Sequence, residues 1–429
     1  MKREETKYWT IGVDEGEEEH SLVVLDDQGE RISKPMRVPN RSDKIEEALA
    51  KIKLKVPTGY QLQIAAESLR SLGGVLARVA IALDFELWQV NPKALNHYRD
   101  LEGQPRKDDD TDGYLAGRMV HFGMKGCHLA VDVKPEERCL CRLTRLHTQL
   151  TNQKTAIMNM IRSRLLELSP EVLSTDWEGP EYDTKAMAAV LGRWPGFIGV
   201  EKTKLSAIER VLMRAGYRSA TAARGKAKVL KEMARRIVML QEERRVVAME
   251  LAAHLAQYRV LLTTLRDIDS EMAERVKGHE IGRRLEEMPG VGTFTAAVLI
   301  GEILPLARNL PEGETATYAG VTPLSRISGK PANGRPSKLA RGINKHVIHA
   351  LYLSATSARR VSAIDRQYYR KQYERHQGHP RPHTVATISL ARQRFKVMYK
   401  LLTTDAVYDK EILIAKHFER RNKEQTQAA

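Results

Sequence analysis

The spacing of apolar positions changes character along this chain. In "YWTIGVDEGEEEHSLVVLDDQGERI" it predicts a strand ending near Asp14, an acidic turn, and a second strand through Ser21–Leu25 closed by "DDQG". "KIEEALAKIKLK" has helical spacing, and "YQLQIAAES" reads as a strand that ends at Glu67. A helix follows in "LGGVLARVAIAL", then a short strand in "FELWQVNP", stopped by Pro92. Strands alternating with helices predict an α/β domain built on a central sheet. The acidic stretch at 108–112 then introduces the helical pattern "DGYLAGRMVHFGM".

From about Glu136 the pattern is one of long helices. "LCRLTRLHTQLTNQKTAIMNMIRSRLLEL" is amphipathic, and a looser helical stretch around "RWPGF" follows. Leu251, Leu255, Tyr258, Leu262, Leu265, Met272 and Val276 then recur at spacings of three, four or seven, with Asp269 in one expected apolar position. Such a stripe suits a coiled-coil-like helix, either paired within the chain or forming a dimerisation arm. "LEEMPGVGTFTAAVLIGEI" places a PGVG turn between two helical patterns, the outline of a helix-hairpin-helix whose glycines let backbone N–H groups approach phosphate.

At 429 residues the chain holds two or three domains, and 42% hydrophobic with 29% charged residues describes a globular protein. No stretch approaches the roughly 20 apolar residues of a membrane span. The start, "MKREETKYWT", lacks the apolar core of a secretion signal, so a cytosolic protein is expected. Cys127, Cys139 and Cys141 lack paired CxxC spacing and read as ordinary thiols. The formal charge of +16 is concentrated: between Pro323 and Lys400 stand 17 Lys and Arg against Asp365 and Glu374. A segment this one-sided is a footprint for a polyanion, in the first place nucleic acid. Within it, "QYYRKQYERH" interleaves Tyr368, Tyr369 and Tyr373 with basic residues, a pattern suited either to base stacking or to packing. His376, His379 and His383 are spaced loosely around prolines and read as polar loop residues.

Against that basic background, Asp108, Asp109, Asp110 and Asp112 crowd into five positions. Asp14 and Glu67 also fall at or near strand ends, where α/β sheets place their chemistry. Brought together by the sheet, acids from these three segments can hold two Mg²⁺ ions about 3.5–4 Å apart, the arrangement that drives in-line phosphoryl displacement. Asp109 and Asp112, three apart at a helix start, share a face; Asp108 and Asp110 point elsewhere and can complement the helix dipole.

On these motifs the chain resembles the insertion-sequence-110 family of DEDD transposases, also called bridge-RNA-guided recombinases. "IGVDEGEEEHSLVVLD" is similar to that family's first-strand motif, and "AAESLRSLGGVLARVAIALDFELWQVNP" to its second block. "KDDDTDGYLA" matches its K-[ST]-D-x-x-D-A-x-x-[LI]-A pattern, except that Asp108 stands where Ser or Thr is usual and Gly113 replaces Ala. "MPGVGTFTAAVLIGEI", "ATYAGVTPLSRISGK" and "INKHVIHALYLSA" resemble its C-terminal transposase domain, in order. The resemblance implies a RuvC-like (RNase H-type) domain with a metal-binding tetrad at Asp14, Glu67, Asp109 and Asp112, and a catalytic serine at Ser328 in "RISGK". It further implies Mg²⁺, a homo-oligomer (dimer or tetramer), a structured guide RNA and DNA partners, with a covalent phosphoserine bond as intermediate. From the residues alone, Ser328 is a serine in a Gly-rich basic loop, with Ser325 and Ser337 as rivals.

The expected organisation is therefore α/β followed by all-α. Residues 1–130 form the RuvC-like domain and 131–285 a helical, coiled-coil region. Residues 286–405 form a mainly helical transposase domain carrying the serine, and 406–429 a charged tail. Arg326, Lys330, Arg335, Lys338 and Arg341 surround the serine and suit phosphate neutralisation without sequence reading. The alternatives are a metal-dependent junction-resolving nuclease that uses water, and a non-catalytic DNA-binding scaffold.

Overall fold

The computed structural model describes residues 7–68, 73–103, 109–130, 133–322 and 343–409, with Asp109 described in its backbone alone. Two units are present, residues 1–132 and 133–429.

The first unit is a mixed sheet covered on both faces. Its strands are β1 (Lys7–Glu15), β2 (Glu19–Leu25), β3 (Met36–Pro39), β4 (Tyr60–Ala66), β5 (Glu86–Val90) and β6 (Cys127–Leu129), in the spatial order β3-β2-β1-β4-β5-β6. β1, β4 and β5 run parallel, while β2, β3 and β6 pair antiparallel with their neighbours. The helices are α1 (Ser42–Lys53), α2 (Gly74–Ala82), α3 (Pro92–Leu101) and α4 (Asp109–His121). Alternation along the strands sends Ile11, Val13, Ile64 and Ala66 into a core shared with α1 and α2, and Ala65 and Val90 into a second core shared with α3 and α4.

The strands expected from alternation are all present. β3 and β6, of four and three residues, are too short to carry a readable period. Pro92 stops β5 as expected, and it is also the first residue of α3, capped by the Asn91 side chain accepting from Lys93 N–H at 2.9 Å. Proline suits that place because its missing N–H would have no helical partner there.

The second unit is helical. α5 (Pro135–Leu168) and α9 (Gln241–Gly278), of 34 and 38 residues, pack along one another. Between them in sequence lie α6 (Lys185–Arg193), α7 (Leu205–Arg214) and α8 (Ala220–Arg236). After α9 come α10 (Glu280–Glu286), α11 (Thr293–Val298), a π-helical turn at Leu299–Ile303, and α12 (Leu304–Ala307). α13 (Glu312–Tyr318), α14 (Lys345–Val361), α15 (Ala363–Arg375) and α16 (Pro382–Thr403) complete it. Two apolar cores lie along the long pair. One joins Ile157, Ile161 and Leu165 of α5 to Leu251 and Leu255 of α9; the other joins Leu140 of α5 to Met272 and Val276 of α9 and to α14 and α16. The two helices are thus antiparallel, and the apolar stripe finds its partner inside the chain. Ile268 fills the apolar position next to Asp269, whose carboxylate is exposed and lies 3.3 Å from His147 Nε2.

The PGVG segment does join two helices. Gly290 has φ +79°, and a Cβ there would come 2.5 Å from the backbone nitrogen of Ala358, so this glycine seats the turn against α14. Arg394, buried on α16, fixes the same turn by donating to Pro289 O at 2.5 Å and to Asp365 Oδ2 at 2.9 Å. Tyr369 is buried in the same core, stacked against Tyr373 and hydrogen-bonded to His383, so these rings pack the fold. Among the described residues no helix is long and apolar enough to cross a membrane.

Candidate active site

β1 and β4 end side by side in a fixed register. Val13 lies opposite Ala66, so the next step of the parallel ladder brings Asp14 level with Glu67. Asp14 has the parity of Thr10 and Gly12 and so belongs to the sheet face beneath α4, while Glu67 follows the last residue of β4 in a bend. On the other side Asp14 is paired with Ser21 of β2.

α4 sits on this face closely because Gly12 and Gly117 allow it. A Cβ on Gly12 would fall 1.8 Å from the carbonyl oxygen of Gly113, and one on Gly117 would fall 3.2 Å from the Gly12 Cα. A Cβ on Gly113 would stand 3.4 Å from the backbone nitrogen of Asp14, which places the first turn of α4 directly over the end of β1.

The aspartates of that turn diverge. Asp110 is held on the β2 side: Ser21 Oγ donates to its Oδ1 at 2.8 Å and Arg37 Nη2 at 3.0 Å, while Arg31 Nη2 donates to its carbonyl oxygen at 3.3 Å. Asp112 is 4% exposed and points toward α3, where its Oδ1 accepts from Arg99 Nε at 2.9 Å and also from Nη2. Arg99, itself 8% exposed, spends Nη1 on Asn96 Oδ1 at 2.8 Å. Asp109 is the first residue of α4, one turn before Gly113. The expected divergence of Asp110 is thus observed, with a cation and a hydroxyl as its partners. The crowded carboxylates of this segment are offset in part by Arg37 and Arg99.

Glu15 completes the cluster from the opposite face. Its carboxylate accepts the backbone N–H of Glu67 at 3.2 Å and of Ser68 at 2.7 Å, which holds the segment that carries Glu67. Burial pushes its pKa up to about 7; the two N–H groups oppose the shift, and the charges of Glu67 and Asp14 add to it. Beneath the site, Gln63 Nε2 donates to Thr10 Oγ1 at 2.7 Å, and Thr10 lies 3.3 Å from His121 Nδ1.

The acids are therefore distributed as follows. Asp14 and Glu67 stand on adjacent strand ends, and Asp112 is on α4 in a pair with Arg99. The side chain of Asp109 lies outside the described residues. Among the described residues no three acidic, histidine or cysteine side chains converge to hold a metal ion. Arg99 and Glu15 escape sequence reading, since a lone Arg on a short helix and the second acid of "VDE" carry no spacing signal.

Ser328, with Arg326, Lys330, Arg335, Lys338 and Arg341, lies outside the described residues. The chain on either side of that segment is tied together at its base. Asn344 N donates to Tyr318 O at 2.8 Å, and Asn344 Nδ2 donates to Tyr318 Oη at 2.8 Å and to Glu302 Oε2 at 3.1 Å. Asn344 also caps α14, its Oδ1 accepting from His346 and Val347 N–H. The Glu302 side chain is fully buried in the π-helical turn and is held by Arg145 Nε at 2.6 Å, Arg145 Nη2 at 3.0 Å and Cys141 Sγ at 3.1 Å. The pairing pushes the Arg145 pKa up, and burial of the guanidinium opposes it.

An α/β sheet with acids near adjacent strand ends, in one chain with a helical unit rich in Lys and Arg, is an arrangement suited to work on nucleic acid. Comparison with known proteins narrows that reading. Residues 11–170 match a family model described as a transposase, of the DEDD type found in IS110, and residues 282–370 match the model of the transposase IS116/IS110/IS902 family. The chain is 24% identical over 422 residues to an uncharacterized 43.6 kDa protein of insertion element IS110 from Streptomyces coelicolor, covering 93% of this chain and 95% of that protein. It is 23% identical over 407 residues to an uncharacterized 44.8 kDa protein of insertion element IS116 from Streptomyces clavuligerus, covering 94% and 96%. Similarity of 23% over 408 residues extends to an uncharacterized 42 kDa protein of insertion element IS900 from Mycobacterium paratuberculosis, covering 92% and 96%. The chain belongs to the IS110 family of mobile-element transposases, enzymes that act on DNA.

Proposed function

We propose that this transposase cuts and rejoins DNA through a covalent phosphoserine at Ser328, assisted by a tetrad of Asp14, Glu67, Asp109 and Asp112 in an RNase H-type, RuvC-like domain. The observation that supports this reading is the β1–β4 register: Val13 pairs with Ala66, so Asp14 and Glu67 come next on neighbouring parallel segments, and the first turn of α4 lies over the end of β1. The strand order, with a β1–β2–β3 antiparallel meander continued by parallel β4 and β5, supports the RNase H-type reading.

The donor set fits a hard dication such as Mg²⁺. It offers carboxylate oxygens from neighbouring strand ends, and the charges of Glu67 and Asp14 add to the rise that burial causes in the Glu15 pKa. Asp14, Glu67 and Asp109 would hold the metal, with Asp112 sharing its carboxylate with Arg99. A divalent metal bound there supplies charge neutralisation at phosphate and activation of the attacking oxygen. The chain's own work is to position and to neutralise. Glu15 fixes the backbone of Glu67, and Arg99 fixes Asp112. The basic residues around Ser328 screen the phosphates. The serine oxygen bonds to phosphorus as the phosphorus–oxygen bond of the strand breaks, and the serine proton leaves through a tetrad carboxylate to the departing sugar oxygen. Reversal rejoins the strand. In this reading a structured guide RNA selects the DNA, copies of the chain assemble with one another, and the protein works in the cytoplasm. The turn at 289–292 serves as a helix-hairpin-helix contact to the DNA backbone through Gly292, since Gly290 is occupied by α14.

The test is expression with the native flanking DNA, followed by recovery of DNA that stays attached to the denatured protein. The adduct is expected from wild type and absent from Ser328→Ala and Asp109→Ala. Cleavage without an adduct, unaffected by Ser328→Ala, would replace this reading with a water-using nuclease. DNA binding with function intact in Asp14→Ala and Asp109→Ala would replace it with a scaffold.

A further inference from the structure

α6, α7 and the middle of α9 border a cavity of about 660 Å³. Lys185, Arg193, Arg214 and Arg259 line it, and no carboxylate does. None of these four cations makes an ion pair among the described residues. Other arginines of the same unit are engaged: Arg164 with Glu167 and Glu250, Arg236 with Glu171, and Arg275 with Glu271.

Two of the four positions have a local reason. Arg193 and Arg214 stand in the last turns of α6 and α7, where a cation complements the helix dipole. The other two do not. Lys185 is the first residue of α6, where a positive charge opposes the dipole, and Arg259 is in the middle of α9. Arg259 is laid across α6 by a glycine: a Cβ on Gly192 would come 2.2 Å from its Nη2. The surroundings are equally one-sided. Between Lys202 and Arg236 stand eleven Lys and Arg against Glu209 and Glu232, a concentration hidden in the near charge balance of the chain outside 323–400.

We infer that this groove binds the phosphate backbone of duplex DNA. Four cations lining one groove without carboxylate partners suit the phosphates of a backbone, and each phosphate neutralised releases condensed counterions. The lining holds no aromatic ring on which an unpaired base could stack, which favours a duplex over a single strand. DNA follows from the family's substrate. The inference rests on the chain acting on DNA, and on neither Ser328 nor the acidic tetrad.

The experiment is fluorescence anisotropy of the full chain on a labelled DNA duplex across a salt series. R193A/R214A/R259A is compared with wild type, with the charge-preserving R193K/R214K/R259K, and with the single variants R193A and R259A. The triple alanine variant is expected to lower the slope of log K against log salt by about 2–3, and to weaken binding roughly tenfold or more near physiological salt. The lysine variant is expected to keep the slope, and each single alanine variant to lose about one unit of it. Circular dichroism confirms folding, and the single variants carry the test if the triple one misfolds. An unchanged slope in the alanine variants overturns the inference. So does a wild-type chain without affinity for duplex DNA, or a loss confined to a duplex RNA probe measured in parallel. Because the readout is binding, a negative adduct experiment at Ser328 and a negative result here remain separable.

Discussion

Arg99 Nε donates to Asp112 Oδ1 at 2.9 Å, and both side chains are buried between α3 and α4. An acid that the proposed tetrad includes thus has a guanidinium partner from a different helix. Removing one member of such a buried pair leaves an uncompensated charge. Arg99→Ala is expected to cost about 3–5 kcal/mol of stability, read by chemical denaturation. If Asp112 also serves as a metal ligand, millimolar Mg²⁺ recovers part of that loss in Arg99→Ala but not in Arg99→Ala/Asp112→Ala.

Two glycines across one contact differ sharply in what they tolerate. Gly12→Ala drives a methyl into the Gly113 carbonyl and must displace α4, so a loss of about 3 kcal/mol or more is expected. Gly113→Ala meets its nearest neighbours at 3.3–3.5 Å. Helix propensity gains nearly 1 kcal/mol from that change, so its thermal midpoint is expected to stay level or rise. A stable Gly12→Ala protein would contradict the close seat of α4 on β1.

Glu15 makes the stability of the metal-free protein fall as pH rises. Its folded pKa, about 7, lies above the unfolded value of 4.5, so the folded state holds the proton more tightly. The contribution is full below pH 4.5 and is lost on rising through pH 7, by no more than about 3 kcal/mol. Denaturation in the presence of a chelator between pH 4.5 and 8 reads it. Glu15→Gln is expected to flatten that slope, while lowering stability at pH 5 because an amide accepts only one of the two N–H groups that Glu15 holds.

Glu302 is a buried carboxylate that depends on its donors. Arg145→Ala removes two of them and leaves Asn344 and Cys141, for an expected loss of about 2–3 kcal/mol, moderated because the Arg145 side chain is half exposed. Arg145→Lys restores the charge but not the two-pronged geometry and is expected to fall between. Urea denaturation ranks the three proteins; equal stability of Arg145→Ala and wild type would mean that Glu302 is satisfied without the guanidinium.

The chain's local patterns carried much of this architecture. β1 ends near Asp14 and β4 just before Glu67 because alternating burial is written into each strand independently. The acidic helix start at 109 and the long amphipathic helices were legible for the same reason. Pairings that join distant segments were not. Nothing in "HYRDL" announces that Arg99 closes on Asp112, or that Glu15 holds the backbone beyond β4, because hydrogen-bond partners are chosen by packing. The stripe on α9 predicted a helical partner but could not name α5, since apolar periodicity fixes which face is buried and leaves open what covers it. The tyrosines of α15 looked equally suited to bases or to a core, and the packing of α16 against α15 decided for the core. Sequence by itself therefore determined the elements, the acids they end on and the family. The tertiary structure decided which of those acids meet a cation and which hold a backbone N–H, because that depends on register and close approach between segments that local preference does not connect.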